Sequence, residues 1–151
     1  MKKLKPVSNA LLASAMFLSL GASAQAAETQ KGEQASNACG LVSVYKMPPE
    51  TKRIYQAAIN TIDGVPVSSV NHTFQLTPGK HKIRVIENIT DSYFTRRRGE
   101  MLNYKVIEIE VEANKKYYLG AKYNRKHKSK LKTGEYWDPI VWKTRDADCE
   151  I

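Results

Sequence analysis

Side chains able to do chemistry are few in this 151-residue chain, and they do not assemble into a recognisable reaction centre. The histidines, His72, His81 and His127, stand at no metal-ligand spacing. Asp63 or Asp138 beside a histidine would make an acid–base pair, yet no nucleophile and no Gly-rich anion loop accompanies either. His81 shares its alternation with Ile83 and Val85 and reads as a structural histidine. The expectation is a chain without catalytic residues, without a metal site and without a cofactor, one that works by binding.

Basic residues are the strongest chemical signal. Lys and Arg outnumber Asp and Glu by 24 to 15, a formal charge of +9. Lys122, Arg125, Lys126, Lys128, Lys130 and Lys132 fall within eleven positions, and Arg96, Arg97 and Arg98 form a second cluster. If the two stretches project from one end of the fold, Arg96, Arg97, Arg98, Arg125, Lys126 and Lys128 make one anion-binding surface flanked by Tyr93, Phe94 and Tyr123. Such a surface suits lipopolysaccharide phosphates, lipid headgroups, an acidic glycan or an acidic protein. The competing reading is charge that only keeps the loops soluble. Recruitment of another chain by strand addition to a sheet edge is the alternative mode of binding.

These charges need elements to hold them, and the elements read as strands. In 103–112, Ile107, Ile109 and Val111 alternate with Glu108, Glu110 and Glu112. In 116–124, Tyr117, Leu119, Ala121 and Tyr123 share the other face from Lys116, Tyr118, Gly120 and Lys122. Joined by 113–115, they predict a hairpin with Val111 opposite Tyr117, Ile109 opposite Leu119 and Glu112 opposite Lys116, a left-handed residue falling at Asn114 or Lys115. A second hairpin is expected around Pro78-Gly79, with Phe74 opposite Ile83 and Leu76 opposite His81. Further strands are expected at 41–46, at 54–63 with Tyr55, Ala57, Ile59 and Thr61 on one face, and at 136–143, where Asp138-Pro139 suggests an edge or a bulge. Asp63-Gly64 is a turn. Six or seven strands without a helix predict an all-β fold, an antiparallel, immunoglobulin-like β-sandwich. The loops 88–102 and 125–135 are left to carry function.

Ahead of the domain stands an export signal. Lys2, Lys3 and Lys5 precede an apolar core at 11–20 and the small-x-small sites Ala22-Ser-Ala24 and Ala24-Gln-Ala26. Cleavage after Ala26 would lower the charge from +9 to +6 and leave a polar, disordered lead at 27–38 and a single domain at 39–151. The apolar core is shorter than the roughly 20 residues that span a bilayer, so no membrane span is expected after cleavage. Cys39 lies too far from that core to be a lipoprotein site. The leader looks bacterial, which predicts a periplasmic or extracellular protein and argues against nucleic acid. In that oxidising compartment Cys39 and Cys149, at the two ends of the domain, are expected to form a disulfide; two free or intermolecular thiols are the alternative.

One resemblance covers about half of the exported part. Ile62-Asp-Gly64, Phe74-Gln-Leu-Thr-Pro-Gly-Lys-His-Lys-Ile-Arg-Val85 and Ile109-Glu-Val-Glu-Ala-Asn-Lys-Lys-Tyr-Tyr-Leu119 are similar to the pattern of PEGA-like domains and related small prokaryotic envelope proteins. The resemblance implies a fold and no catalytic residues, since its positions are turns and core. The Arg-rich loop, the Lys-rich loop and the terminal cysteines fall outside it.

Overall fold

A computed structural model describes residues 38–92, 94 and 103–149. The leader 1–26, positions 27–37 of the lead, Tyr93 and Arg96, Arg97 and Arg98 lie outside the described residues. Eight strands follow in chain order: β1 (Gly40–Ser43), β2 (Ile54–Ile62), β3 (Val65–Pro66), β4 (Thr73–Leu76), β5 (Gly79–Asn88), β6 (Tyr104–Val111), β7 (Lys115–Tyr123) and β8 (Trp137–Asp146). They form one open sheet in the order β4-β1-β7-β2-β5-β6, with β3 bonded to β2 and β8 to β7. The all-β class is as expected. The sheet is mixed, because β1 runs parallel to β7 at Leu41, Val42 and Ser43.

β7 organises the molecule. β8 covers one of its sides over nine paired positions. Its other side is divided: β1 takes Lys116, Tyr117 and Tyr118, and the first residues of β2 take Ala121 and Lys122. From Gln56 onward β2 leaves β7 and pairs with β5. A bulge at Asn60 shifts the register between Ile59 and Thr61, so the inward set Tyr55, Ala57, Ile59 resumes at Ile62. The expected inward place of Thr61 is corrected by that one extra residue; Thr61 is only half-buried.

A single core joins the strands on either side of β2. It contains Val42, Tyr117, Leu119, Ala121, Tyr123 and Trp137 from β1, β7 and β8, and Ala57, Ile59, Ile62, Ile83, Val85, Ile109 and Val111 from β2, β5 and β6. The alternation read from the sequence therefore assigns the faces correctly.

It assigns the partners wrongly in both hairpins. β6 pairs with β5, setting Ile107 against Ile83 and Ile109 against His81, and makes no ladder with β7. β4 pairs with β1, setting Phe74 against Val42, and makes none with β5. The reason lies in the turns. Asn114 is left-handed, with φ 57°, as expected, but its backbone serves other segments: its N–H donates to Cys39 O (2.8 Å) and its carbonyl accepts from Ala147 N (3.0 Å). Gly79, with φ 138°, lets the chain turn out of Pro78 into β5, a backbone angle that side chains disfavour. Asp63 (φ 50°) and Gly64 (φ 81°) do close the expected turn, between β2 and β3.

The two ends of the domain meet at the Asn114 turn, where Cys39 and Cys149 form the expected disulfide across 110 positions, with Cα atoms 6.1 Å apart. β8 is an edge strand, as Asp138-Pro139 suggested, and carries its bulge at Trp142. No helix among the described residues is long and apolar enough to cross a membrane.

Candidate anion-binding site

The loops expected to carry function rise from neighbouring roots. Asp91, just after β5, accepts a hydrogen bond from Arg125 Nη2 at 2.9 Å, just after β7. At the far ends, Asn103 Nδ2 donates to Leu131 O (3.1 Å) and to Tyr136 Oη (2.8 Å). The Tyr136 hydroxyl donates in turn to Glu87 Oε1 (2.8 Å), while Glu87 Oε2 accepts the N–H of Ile89 (2.9 Å). Glu87 is buried, and these bonds offset the cost of taking its carboxylate out of water.

Between the roots lies an open cleft of about 400 Å³ lined by Asp91, Ser92, Tyr123, Arg125 and Lys128. The Asp91 side chain is 10 % exposed and that of Arg125 57 % exposed. A mostly covered carboxylate thus grips one edge of a guanidinium whose remainder faces water. The hydrogen bond and charge of Asp91 hold Arg125 above its ordinary pKa. Lys126 is exposed, and its backbone N–H is capped by Asn124 Oδ1 (3.2 Å) at the start of a 3-10 turn, Arg125–His127. Lys128 is half-buried on the cleft wall. Further along, Lys130 is bound to Glu135, whose carboxyl it holds below its usual range.

Of the residues expected to bind anions, Arg125, Lys126 and Lys128 thus share one turn, and Arg96, Arg97 and Arg98 lie outside the described residues. The aromatic flank needs correction. Phe94 is 1 % exposed and packs against Tyr123 and Tyr136, both with ring centres 4.8 Å away. Tyr123 is 2 % exposed, so both rings belong to the core beneath the cleft, with Tyr123 forming part of its wall.

The acid–base candidates resolve differently. Asp138 meets Lys105 (2.8 Å). Asp63 does meet a histidine: its Oδ2 lies 2.6 Å from His81 Nδ1, and its Oδ1 accepts the backbone N–H of Lys82 at 2.8 Å. His81 Nε2 is held at 2.8 Å by Thr77 O. Both ring nitrogens face acceptors, the arrangement that suits an imidazolium. Burial alone would pull the His81 pKa down; the Asp63 carboxylate and the Thr77 carbonyl outweigh it and leave the value raised. The bond to Lys82 N, then that to His81, holds Asp63 below its usual range. With neither nitrogen open, the pair pins the β2–β3 turn to the start of β5.

A second basic cluster escaped the sequence reading. On the outward face of β7 and β8, Lys116 stands opposite Arg145 and Tyr118 opposite Lys143. Lys46, just past β1, reaches the same ring. The signal was present in the alternation of Lys116 with Tyr117 and of Lys143 with Thr144, but it becomes a cluster only once β7 and β8 are paired. Among the described residues no group of His, Cys, Asp and Glu could hold a metal ion. Compared with family models, curated proteins and solved structures, the chain matches none.

Proposed function

We propose that this is an exported, non-catalytic binding protein whose two basic loops meet an anionic envelope component: lipopolysaccharide, lipid headgroups or an acidic glycan. The Arg125–Asp91 contact is the observation that carries the reading. It ties Arg125, at the root of the Lys-rich loop, to Asp91, at the start of the stretch 88–102 and 34 positions earlier in sequence. A guanidinium anchored on one edge is also pre-oriented, so it loses less freedom when an anion arrives than a loose lysine would. The leader at 1–26 and the kinship with PEGA-like envelope domains belong to the same proposal. Single exposed contacts are each worth about 1 kcal/mol or less, so the loops must act together.

Binding to lipopolysaccharide or to anionic vesicles at low salt tests it. Affinity should fall steeply as the Debye length shrinks from about 10 Å at 0.1 M to about 3 Å at 1 M. Replacing Arg125, Lys126 and Lys128 by Gln, or Arg96, Arg97 and Arg98 by Ser, should weaken it with little change in Tm. Parent-like binding by both variants would defeat the proposal. Strand addition, the second reading, is favoured by β6, which among the described residues pairs only with β5 and exposes Tyr104 and Val106. It would show as a partner held with little dependence on salt.

A further inference from the structure

We propose that the outward face of β7 and β8 around Tyr118 is a separate anion site, built for a compact phosphate-bearing group: a phosphate monoester or a pyrophosphate. Tyr118 is 4 % exposed, a ring fixed between the strands with Trp142 beside it, the ring centres 5.8 Å apart. Trp142 can lie there because position 120 is glycine. A Cβ on Gly120 would stand 3.0 Å from Trp142 Cδ1 and 2.9 Å from Ile54 Cγ2, and the Trp142 indole N–H is tied to Leu119 O at 3.2 Å.

Cations surround this ring. Arg145 Cζ lies 5.4 Å, Lys116 Nζ 5.7 Å and Lys46 Nζ 6.0 Å from its centre. Lys143, the cross-strand partner of Tyr118, adds a fourth. Among the described residues none of the four has a carboxylate partner. Asp146, the nearest acid along β8, turns to the opposite face and binds Lys115 at 2.8 Å. Cation–π attraction of about 0.5–1 kcal/mol at exposed sites helps gather these side chains but neutralises none of them. The ammonium groups of Lys46 and Lys143 are close enough that the contact with Lys143, with its charge and that of Arg145 added, lowers the Lys46 pKa. Like charges crowded within reach of one point leave a place where a multiply charged anion would relieve repulsion and accept charge-assisted hydrogen bonds from several donors. Lys116, Lys143 and Arg145 stand on two paired strands with Lys46 beside them, a face that fits one phosphate-bearing group better than a polymer that spreads its charge along a strand.

The test uses the whole chain at low salt with two probes: inorganic pyrophosphate, followed by calorimetry and phosphorus NMR, and phosphatidylcholine vesicles with and without phosphatidic acid, which presents a monoester headgroup. Binding to pyrophosphate alone identifies a soluble phosphate compound; binding only to phosphatidic acid vesicles identifies a membrane surface; either supports the site if the variants agree. The double variant K143Q/R145Q should lose about tenfold or more, the worth of one charge-assisted hydrogen bond, while the charge-matched K80Q/K82Q on β5 should not. K46Q, beyond the end of β1, gives the same reading should the double variant fold poorly. No binding of either probe, or equal losses in K143Q/R145Q and K80Q/K82Q, would overturn the assignment. Equal losses in the two variants, with the anionic vesicles still bound, would fail this site and leave the loop reading standing, because the loop residues are untouched.

Discussion

At the scale of single residues, the most informative side chain is His81. The sequence marked it as structural by its alternation with Ile83 and Val85 and offered Asp63 as a histidine's neighbour, but not which histidine, since that depends on where the β2–β3 turn delivers Asp63. Its consequence is a pH dependence with two limits. The folded pKa of His81 is raised, so its contribution is complete below the unfolded value of about 6.5 and is lost as pH rises through the folded value. Asp63 is lowered, so its contribution is present above about 3.8 and is lost as pH falls through its folded value. Thermal melts from about pH 4 to pH 9 should show Tm declining above neutrality in the parent, with that decline reduced in Asp63→Asn; identical profiles would show that the pair adds nothing. Gly40 is the second such residue. A Cβ there would lie 2.3 Å from Val111 Cγ1 and 2.6 Å from Glu112 O, which is backbone and cannot step aside. Gly40→Ala is expected to cost about 1–3 kcal/mol by overpacking. Gly64→Ala meets only open space and should cost about 1 kcal/mol for its left-handed backbone. Denaturant titration would rank the two.

At the scale of elements, strand positions were largely legible and strand partners were not. A period of two states which residues face inward, and β5 and β6 obey it, while in β7 the run from Tyr117 to Ala121 is buried on both faces. Partner choice depends on where each turn points and on whether a longer ladder is on offer. β7 pairs with β8 over nine positions on one side and gives its other side to β1 and β2, which leaves no side for β6. The bulges at Asn60 and Trp142 carry no local signal of this kind, and one of them builds the Tyr118 face. The two cysteines were the exception, because the oxidising compartment expected from the leader and their places at the domain ends sufficed. The bridge fastens the segment before β1 to the segment after β8, both already bonded to Asn114. Cys39→Ser/Cys149→Ser should lose about 2–5 kcal/mol, read as a fall in the urea midpoint with a similar slope. A midpoint within error of the parent would show that the Asn114 bonds hold the ends unaided.

For the whole molecule, the candidate loops were readable as basic stretches, and their common origin was not. Long-range packing brings Asp91 to Arg125, and nothing in either stretch names the other. The division of one side of β7 between β1 and β2 has a consequence in time. Ser43 finds its neighbour Thr73 after 30 positions, but the other side of β1 stays open until Lys116, Tyr117 and Tyr118 exist. A chain that emerges amino end first therefore holds β1 half-paired from the completion of β4 at Leu76 until Lys116, Tyr117 and Tyr118 follow. Assembly is dominated by contacts distant in sequence, a class that folds on the order of milliseconds to seconds. Cys39 waits longer still, for a partner 110 positions downstream. Oxidation between these two sulfurs is thus a report that the chain has reached Cys149: a product cut short before it carries an unpaired thiol at Cys39, and thiol-specific labelling would separate such molecules from those that close the bridge.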